Sequence, residues 1–132
     1  MEDTSGDAQA GRRLTGCAIG PVAGVVASYA GTTMLGRAWN DCEIGVNASA
    51  NFFSLIPVFF GLWLIISVLW ILSFGFLGGR SMAAAFVVSV LATLGTYWLM
   101  MSAFGAPSGY PVSVAECSPD NAPAWWPDWL PL

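Results

Sequence analysis

Three long apolar stretches separated by short polar breaks dominate the sequence. The second stretch, residues 52–77, contains no charged residue. A helix needs about 20 apolar residues to cross the hydrocarbon core of a bilayer, so this stretch is long enough to span a membrane. The third stretch, residues 81–104, is also uncharged, and only a short break containing Arg80 precedes it. The pattern therefore predicts an antiparallel pair of membrane helices.

The first apolar stretch, residues 14–36, is less hydrophobic and rich in Gly, Ala, Ser and Thr. We interpret it as a membrane helix that stays in the protein. One alternative is a cleaved signal peptide, with Arg12 and Arg13 as its basic region and residues 28–30 as its cleavage site. A lipoprotein signal ending at Cys17 fits poorly, because only polar residues precede Leu14.

The two ends of the chain differ from its apolar centre. Residues 1–13 are polar, so we predict a disordered cytoplasmic tail. Residues 105–132 contain six prolines, which prevent a continuous helix. The predicted fold is an all-α membrane protein with three transmembrane helices and a Pro/Trp-rich, non-helical C-terminal tail. Three tryptophans of this tail are candidate interfacial anchors, because Trp prefers the membrane–water boundary: Trp125, Trp126 and Trp129.

Small residues recur at helical spacing in the first and third spans, and small residues let membrane helices approach closely. The first stripe consists of Gly16, Gly20, Gly24 and Ser28, and the second of Ala85, Ser89 and Ala92. Packing of the first stripe against the second span is the favoured interpretation, and dimerisation is the alternative. We also predict that spans one and three touch through these stripes, at Gly20, Gly24, Ala85, Ser89 and Ala92.

Two further expectations concern the second span. Asn51 is a candidate N-cap for it, because an Asn side chain accepts from the first free N–H groups of a helix. Asn47 opens an Asn-Ala-Ser sequon, which we interpret as a chance match.

The aromatic side chains of the second span point around the whole helix, a pattern that suits lipid contact on most sides: Phe52, Phe53, Phe59, Phe60, Trp63 and Trp70.

Arginine determines the predicted topology, because cytoplasmic loops carry an excess of basic residues. A cytoplasmic N-terminus places Arg12, Arg13 and Arg80 inside and Arg37 outside. We therefore expect a multi-pass protein of the cell membrane with an extracytoplasmic C-terminus.

This topology predicts a disulfide between Cys42 and Cys117, which both face the oxidising side, whereas Cys17 lies near the cytoplasmic side. Two alternatives remain at this point. The two cysteines stay as free thiols, or they form a metal site with Asp41, Glu43 or Glu116.

Composition narrows the function. Hydrophobic residues make up 56% of the chain and charged residues 9%, with a net charge of −4 and no His. This excludes a nucleic-acid binder, which needs a basic face. No catalytic or cofactor-binding motif is present, and the spans contain no ionisable Asp, Glu, Lys or Arg of the kind that marks a proton-coupled transporter. Arginine without lysine, together with abundant Ala and Gly, indicates a GC-rich bacterial source.

The end of the chain, CSPDNAPAWWPDWLP at residues 117–131, resembles the tails of small actinobacterial multi-pass membrane proteins. The resemblance implies a membrane protein and no particular activity.

We therefore expect a non-catalytic integral membrane protein that acts as an accessory or scaffold subunit and presents a disulfide-tied tail outside. Its expected partners are the lipid bilayer and other membrane proteins or itself, with no nucleic acid and no cofactor. The alternative is a small oligomeric pore or transporter built on the Gly, Ser and Thr faces of its helices.

Overall fold

A computed structural model describes residues 4–45, 47–107 and 110–132, with only the backbone given for residues 4–10, 12 and 13. These ranges contain three long helices, α1 (Thr4–Asp41), α2 (Ala48–Leu77) and α3 (Met82–Met100), and no strand. A π-helical turn, Met101–Gly105, continues α3, and a short 3-10 turn lies at Ala115–Cys117. The all-α fold and the largely non-helical tail are as predicted.

Three helical segments are long and apolar enough to cross a membrane: Leu14–Asp41, Ala48–Leu77 and Met82–Gly105. They correspond to the predicted spans at residues 14–36, 52–77 and 81–104. We call the end of the bundle where α1 ends and α2 begins the cap end. The opposite end, at the Gly78–Arg80 connection between α2 and α3, is the turn end.

The prediction of a disordered tail over residues 1–13 is wrong for the described part, because α1 already begins at Thr4. Residues 1–3 are not among those that the structure describes. Once the membrane span has formed a helix, each added residue gains one more backbone hydrogen bond without a new nucleation cost. Ala8, Gln9 and Ala10 are good helix formers, so they favour this extension.

The cap of α2 is Asn47, and the prediction that Asn51 caps this helix is wrong. The helix begins at Ala48, and the Asn47 side chain accepts from the backbone N–H of Ala50 at 2.8 Å. Asn51 is therefore already inside the first turn. Its side chain instead donates to the carbonyl oxygen of Ile44 (2.8 Å) and braces the preceding loop.

The small-residue stripe of α1 packs against α2. A Cβ atom built on Gly16 would lie 2.5 Å from Cβ of Phe74, and one on Gly20 would lie 2.7 Å from Cγ1 of Ile71. A Cβ on Gly24 would overlap the Ser67 hydroxyl. The favoured interpretation, packing within the chain against span two, therefore agrees with the structure.

The prediction that Gly20 and Gly24 touch α3 is wrong. Their nearest neighbours all belong to α2: Ser67 and Ile71 for Gly20, and Trp63 and Ser67 for Gly24. The physical reason is steric complementarity. Large side chains of α2 fill the groove that the glycines leave open, whereas a second stripe of small residues would leave voids.

The stripe of α3 also faces α2. Ala85 and Ser89 are fully buried. Thr93, on the same helical face as Ser89, accepts a hydrogen bond from Trp70 Nε1 of α2 (3.1 Å). The Trp70 ring also meets the ring of Phe86 edge to face, with centroids 5.7 Å apart. The helix α2 therefore lies between the other two over much of the bundle.

The aromatic residues of α2 divide into two groups, so the expectation of lipid contact on most sides holds for only some of them. Phe52, Phe53 and Phe60 are exposed. Trp63 donates to the carbonyl oxygen of Pro21 in α1 (3.1 Å), and Trp70 contacts α3 as described. The two indoles are drawn to the helix interfaces because each N–H finds an acceptor there.

The helices α1 and α3 meet in the half of the bundle nearer the cap end. The Tyr97 hydroxyl donates to the carbonyl oxygen of Ala27 (2.5 Å), and a Cβ on Gly31 would lie 2.9 Å from the Tyr97 ring. The largest buried apolar cluster lies in this half and joins residues from all three helices and the π-helical turn: Leu35, Ala38, Leu62, Ile66, Met100 and Met101.

Candidate functional site: the disulfide-linked cap

A disulfide bond joins the end of α1 to the C-terminal tail. Cys42 and Cys117 are bonded, their Cα atoms are 5.7 Å apart, and both residues are buried. The last turn of α1 positions Cys42, whose N–H donates to the carbonyl oxygen of Ala38 (3.2 Å), and the 3-10 turn positions Cys117. The bond is the predicted one, and it leaves neither cysteine as a free thiol or a metal ligand. Cys17 is exposed and free.

A small apolar cluster surrounds the disulfide and includes Ile44, Tyr110 and Val114. The Tyr110 hydroxyl donates to the carbonyl oxygen of Gly45 and accepts from its N–H, both at 2.8 Å. Gly45 has a φ of +106°, a conformation that side-chain-bearing residues rarely adopt. The tail and the α1–α2 loop are therefore locked together on both sides of the disulfide.

Four indole N–H groups fasten the tail and the helix ends. Trp39 donates to the carbonyl oxygen of Phe104 (2.8 Å), and Trp98 donates to that of Pro131 (2.9 Å). The other two belong to the tail itself. Trp125 donates to Oδ2 of Asp41 (2.9 Å), and Trp126 donates to the carbonyl oxygen of Leu130 (2.8 Å). We call the assembly of the tail, the α1–α2 loop and these contacts the cap.

The three candidate anchors occupy three different environments in the cap. Trp125 is exposed and hydrogen-bonded to the end of α1. Trp126 is half-buried and packs against the largest buried apolar cluster. Trp129 is 80% exposed. Their role as interfacial anchors stays a prediction, and only Trp126 contributes to the core.

The exposed surface of the cap is acidic. Asp41, Glu43, Glu116, Asp120 and Asp128 are all exposed, and Arg37 lies one helical turn before Asp41. A hollow of about 610 Å³ lies within the tail and is lined in part by Glu116, Asp120 and Asp128. Within the described ranges no three His, Cys, Asp or Glu residues are placed to hold a metal ion. Exposed carboxylates of this number give the outer surface of the cap a negative charge, which attracts cationic groups.

The importance of Trp39 and Tyr110 was missed at the sequence level. Each makes its cap contact with a residue 65 positions away, so no local pattern indicates the pairing. The usable signal is indirect. Trp and Tyr need a partner for their polar atom, and helix ends and loops offer unpaired backbone groups.

Comparison with known proteins finds no match to the chain among family models, curated proteins or solved structures.

Proposed function

We propose that the protein is a non-catalytic, multi-pass membrane protein that serves as an accessory or scaffold subunit, with the cap as its binding surface. One observation carries this proposal: the tail is held to the helix ends by a covalent bond and by indole hydrogen bonds. A surface that is already ordered loses less conformational entropy when a partner binds to it. Trp129 and the surrounding carboxylates are the exposed groups that such a partner would contact.

We further propose that the cap faces the outside of the cell and the N-terminus the cytoplasm. The distribution of arginines supports this, with Arg12, Arg13 and Arg80 on one side and Arg37 on the other. The disulfide supports it independently, because disulfides persist in oxidising compartments.

An oligomeric pore is the competing function, and no specific observation favours it. A pore built on small-residue faces needs those faces to be available to other copies of the chain. In the described structure Gly16, Gly20 and Gly24 are already covered by α2.

Site-specific crosslinking in the native membrane tests the proposal. A photoreactive amino acid replaces Trp129 in the cap, and a control places it at the exposed Met82 near the turn end. We expect a defined adduct with a different protein from position 129, and no such adduct from position 82. The adduct should weaken when Cys42 and Cys117 are both replaced by Ser.

Two results would contradict the proposal. Adducts formed only between copies of this chain would favour a homo-oligomer. Equal adduct formation from positions 129 and 82 would show that the cap has no special role in association.

A further inference from the structure

A second hollow, of about 470 Å³, lies beside α1 at the cap end. Five of its lining residues belong to α1, and the sixth is contributed by the tail: Ala30, Thr33, Met34, Arg37, Asp41 and Trp125. The tail, which returns to the end of α1, therefore supplies one wall of the hollow.

This hollow contains one positive and one negative side chain that are not paired with each other. Arg37 and Asp41 lie one helical turn apart on α1. In the part of the chain that the structure describes, the Arg37 guanidinium forms no ion pair and no hydrogen bond. The Asp41 carboxylate accepts one hydrogen bond, from Trp125 Nε1, and keeps further acceptor positions on its two oxygens.

The hollow also continues onto an apolar surface. Arg37 and Asp41 close the segment that is long enough to span a membrane. Ala30 and Thr33 lie one to two turns deeper, and Val26, on the same helical stripe, is 66% exposed. A ligand seated here thus meets two opposite charges at the bilayer surface and an open apolar face below them.

We propose that this hollow binds the headgroup of a phospholipid that carries a primary ammonium group, of the phosphoethanolamine type. The phosphate lies on Arg37, whose planar guanidinium suits bidentate contact with phosphate oxygens. The ammonium group donates to Asp41 and lies against the Trp125 ring, where cation–π attraction adds to the contact. The acyl chains run down α1 over Val26. The proposal depends on membrane insertion of α1 but not on the accessory role of the cap.

The bond between Cys42 and Cys117 has a consequence for this site. Trp125 follows Cys117 in the tail, so reduction of the disulfide releases the segment that forms one wall of the hollow. Lipid selectivity should therefore fall on reduction even though Arg37 and Asp41 are unchanged.

Lipid titration of the full-length protein in mild detergent, followed by native mass spectrometry, tests the proposal. The probes are short-chain phosphatidylethanolamine, phosphatidylcholine and phosphatidylglycerol. We expect phosphatidylethanolamine to bind tightest. Arg37→Gln should weaken both phosphatidylethanolamine and phosphatidylglycerol about fivefold, as expected for a partly exposed ion pair. Asp41→Asn should weaken phosphatidylethanolamine about fivefold and leave phosphatidylglycerol unchanged or tighter.

Arg80→Gln is the matched control, because Arg80 is exposed at the turn end. It should leave the preference for phosphatidylethanolamine intact. Free phosphoethanolamine is added as a competitor to distinguish a soluble zwitterion from a lipid. Displacement of the lipid by an equal concentration of the free headgroup would overturn the lipid assignment.

Equal affinity of the unmodified protein for the three lipids would also overturn the proposal, and this measurement needs no variant. An Asp41→Asn protein that keeps its preference for phosphatidylethanolamine over phosphatidylcholine would contradict the role given to the carboxylate.

Discussion

The two ends of the helix bundle are held by different kinds of interaction. At the cap end, residues far apart in the chain are joined by the Cys42–Cys117 bond and by indole hydrogen bonds such as Trp98 to Pro131. At the turn end, α2 and α3 are connected by a short turn in which the N–H groups of Arg80 and Ser81 both donate to the carbonyl oxygen of Leu77. The connection at the cap end is thus fixed by long-range bonds, whereas the α2–α3 connection at the turn end is fixed by local ones.

This difference reflects how readily the backbone at each end becomes ordered by its own local hydrogen bonds. The turn end requires only a break in the helix and the Ser81 cap, which accepts from the N–H of Ala84 at 3.2 Å. The cap end requires a bond and hydrogen bonds because prolines remove the backbone donors that would order the tail. The two ends should therefore respond differently to the same kind of substitution.

The largest expected effect is at the cap end. Replacing both Cys42 and Cys117 with Ser should lower the free energy of unfolding by about 2–4 kcal/mol, because the bond restricts a long loop in the unfolded chain. The lower part of this range is expected, since inserted helices already confine the two ends. Denaturant titration in mixed micelles measures the change, and proteolysis of the tail reports its release.

Cys17→Ser is the control for this experiment. Cys17 is exposed on α1 and unpaired. The Cys17→Ser variant should retain the stability and the protease resistance of the unmodified protein. If the double Cys42/Cys117 variant matches the Cys17 variant in both stability and protease resistance, the disulfide does not hold the cap end.

The next effect concerns the α1–α2 interface, which extends from the cap end toward the turn end. Gly24→Leu should cost about 1–2 kcal/mol, because its side chain would overlap Ser67 and Trp63 and force the helices apart. Gly75→Leu is the matched control, since nothing lies within 4 Å of a Cβ built at that position. The two variants are compared by thermal unfolding in detergent. Equal stabilities would show that close helix approach at Gly24 is not required.

The helices of this interface and the packing of α1 on α2 were predicted from the sequence, but the additional contact of Gly20 and Gly24 with α3 was not correct. Apolar length and the arginine-containing breaks predict the three helices, and the four-residue spacing of Gly16, Gly20 and Gly24 predicts a close contact. Two stripes of small residues suggested that α1 and α3 pack together. That added contact is absent at Gly20 and Gly24 because bulky α2 side chains such as Ile71 fill the groove, and a pattern of small residues does not describe this.

In the cap, too, one contact was predictable from the sequence and another was not. Topology and redox chemistry are enough to predict the Cys42–Cys117 pair, because the membrane separates Cys17 from it. The contact of Tyr110 with Gly45 depends on how the tail turns after α3, and a tail with six prolines has no regular helix from which its path follows. The start of α1 at Thr4 was also missed, since a polar composition says little about extension of an existing helix.

A smaller effect is expected where α1 and α3 meet. Tyr97→Phe removes the hydroxyl that donates to the carbonyl oxygen of Ala27 and keeps the ring that packs against Gly31. Hydrogen bonds between membrane helices contribute about 0.6 kcal/mol on average, so we expect a loss of about 1 kcal/mol or less. Denaturant titration measures it, and a loss as large as that of Gly24→Leu would mean that this contact organises the bundle.

The smallest effect is at the surface of the cap. Trp125→Phe keeps an aromatic ring and removes the N–H that donates to Asp41. Because this hydrogen bond is exposed, its loss should cost about 0.5 kcal/mol. Trp129→Phe is the control, as Trp129 is 80% exposed, and it should cost less. The same denaturant titration measures both variants. A larger loss of stability for Trp129→Phe than for Trp125→Phe would mean that Trp129, and not Trp125, holds the tail.

The most direct test of the disulfide-linked cap is peptide mapping by mass spectrometry of protein isolated from membranes without reductant and with free thiols blocked at lysis. We expect a linked peptide pair containing Cys42 and Cys117, with the blocking group on Cys17 alone. Blocked, unlinked thiols at both Cys42 and Cys117 would contradict it, because the tail would then have no covalent tie to the end of α1.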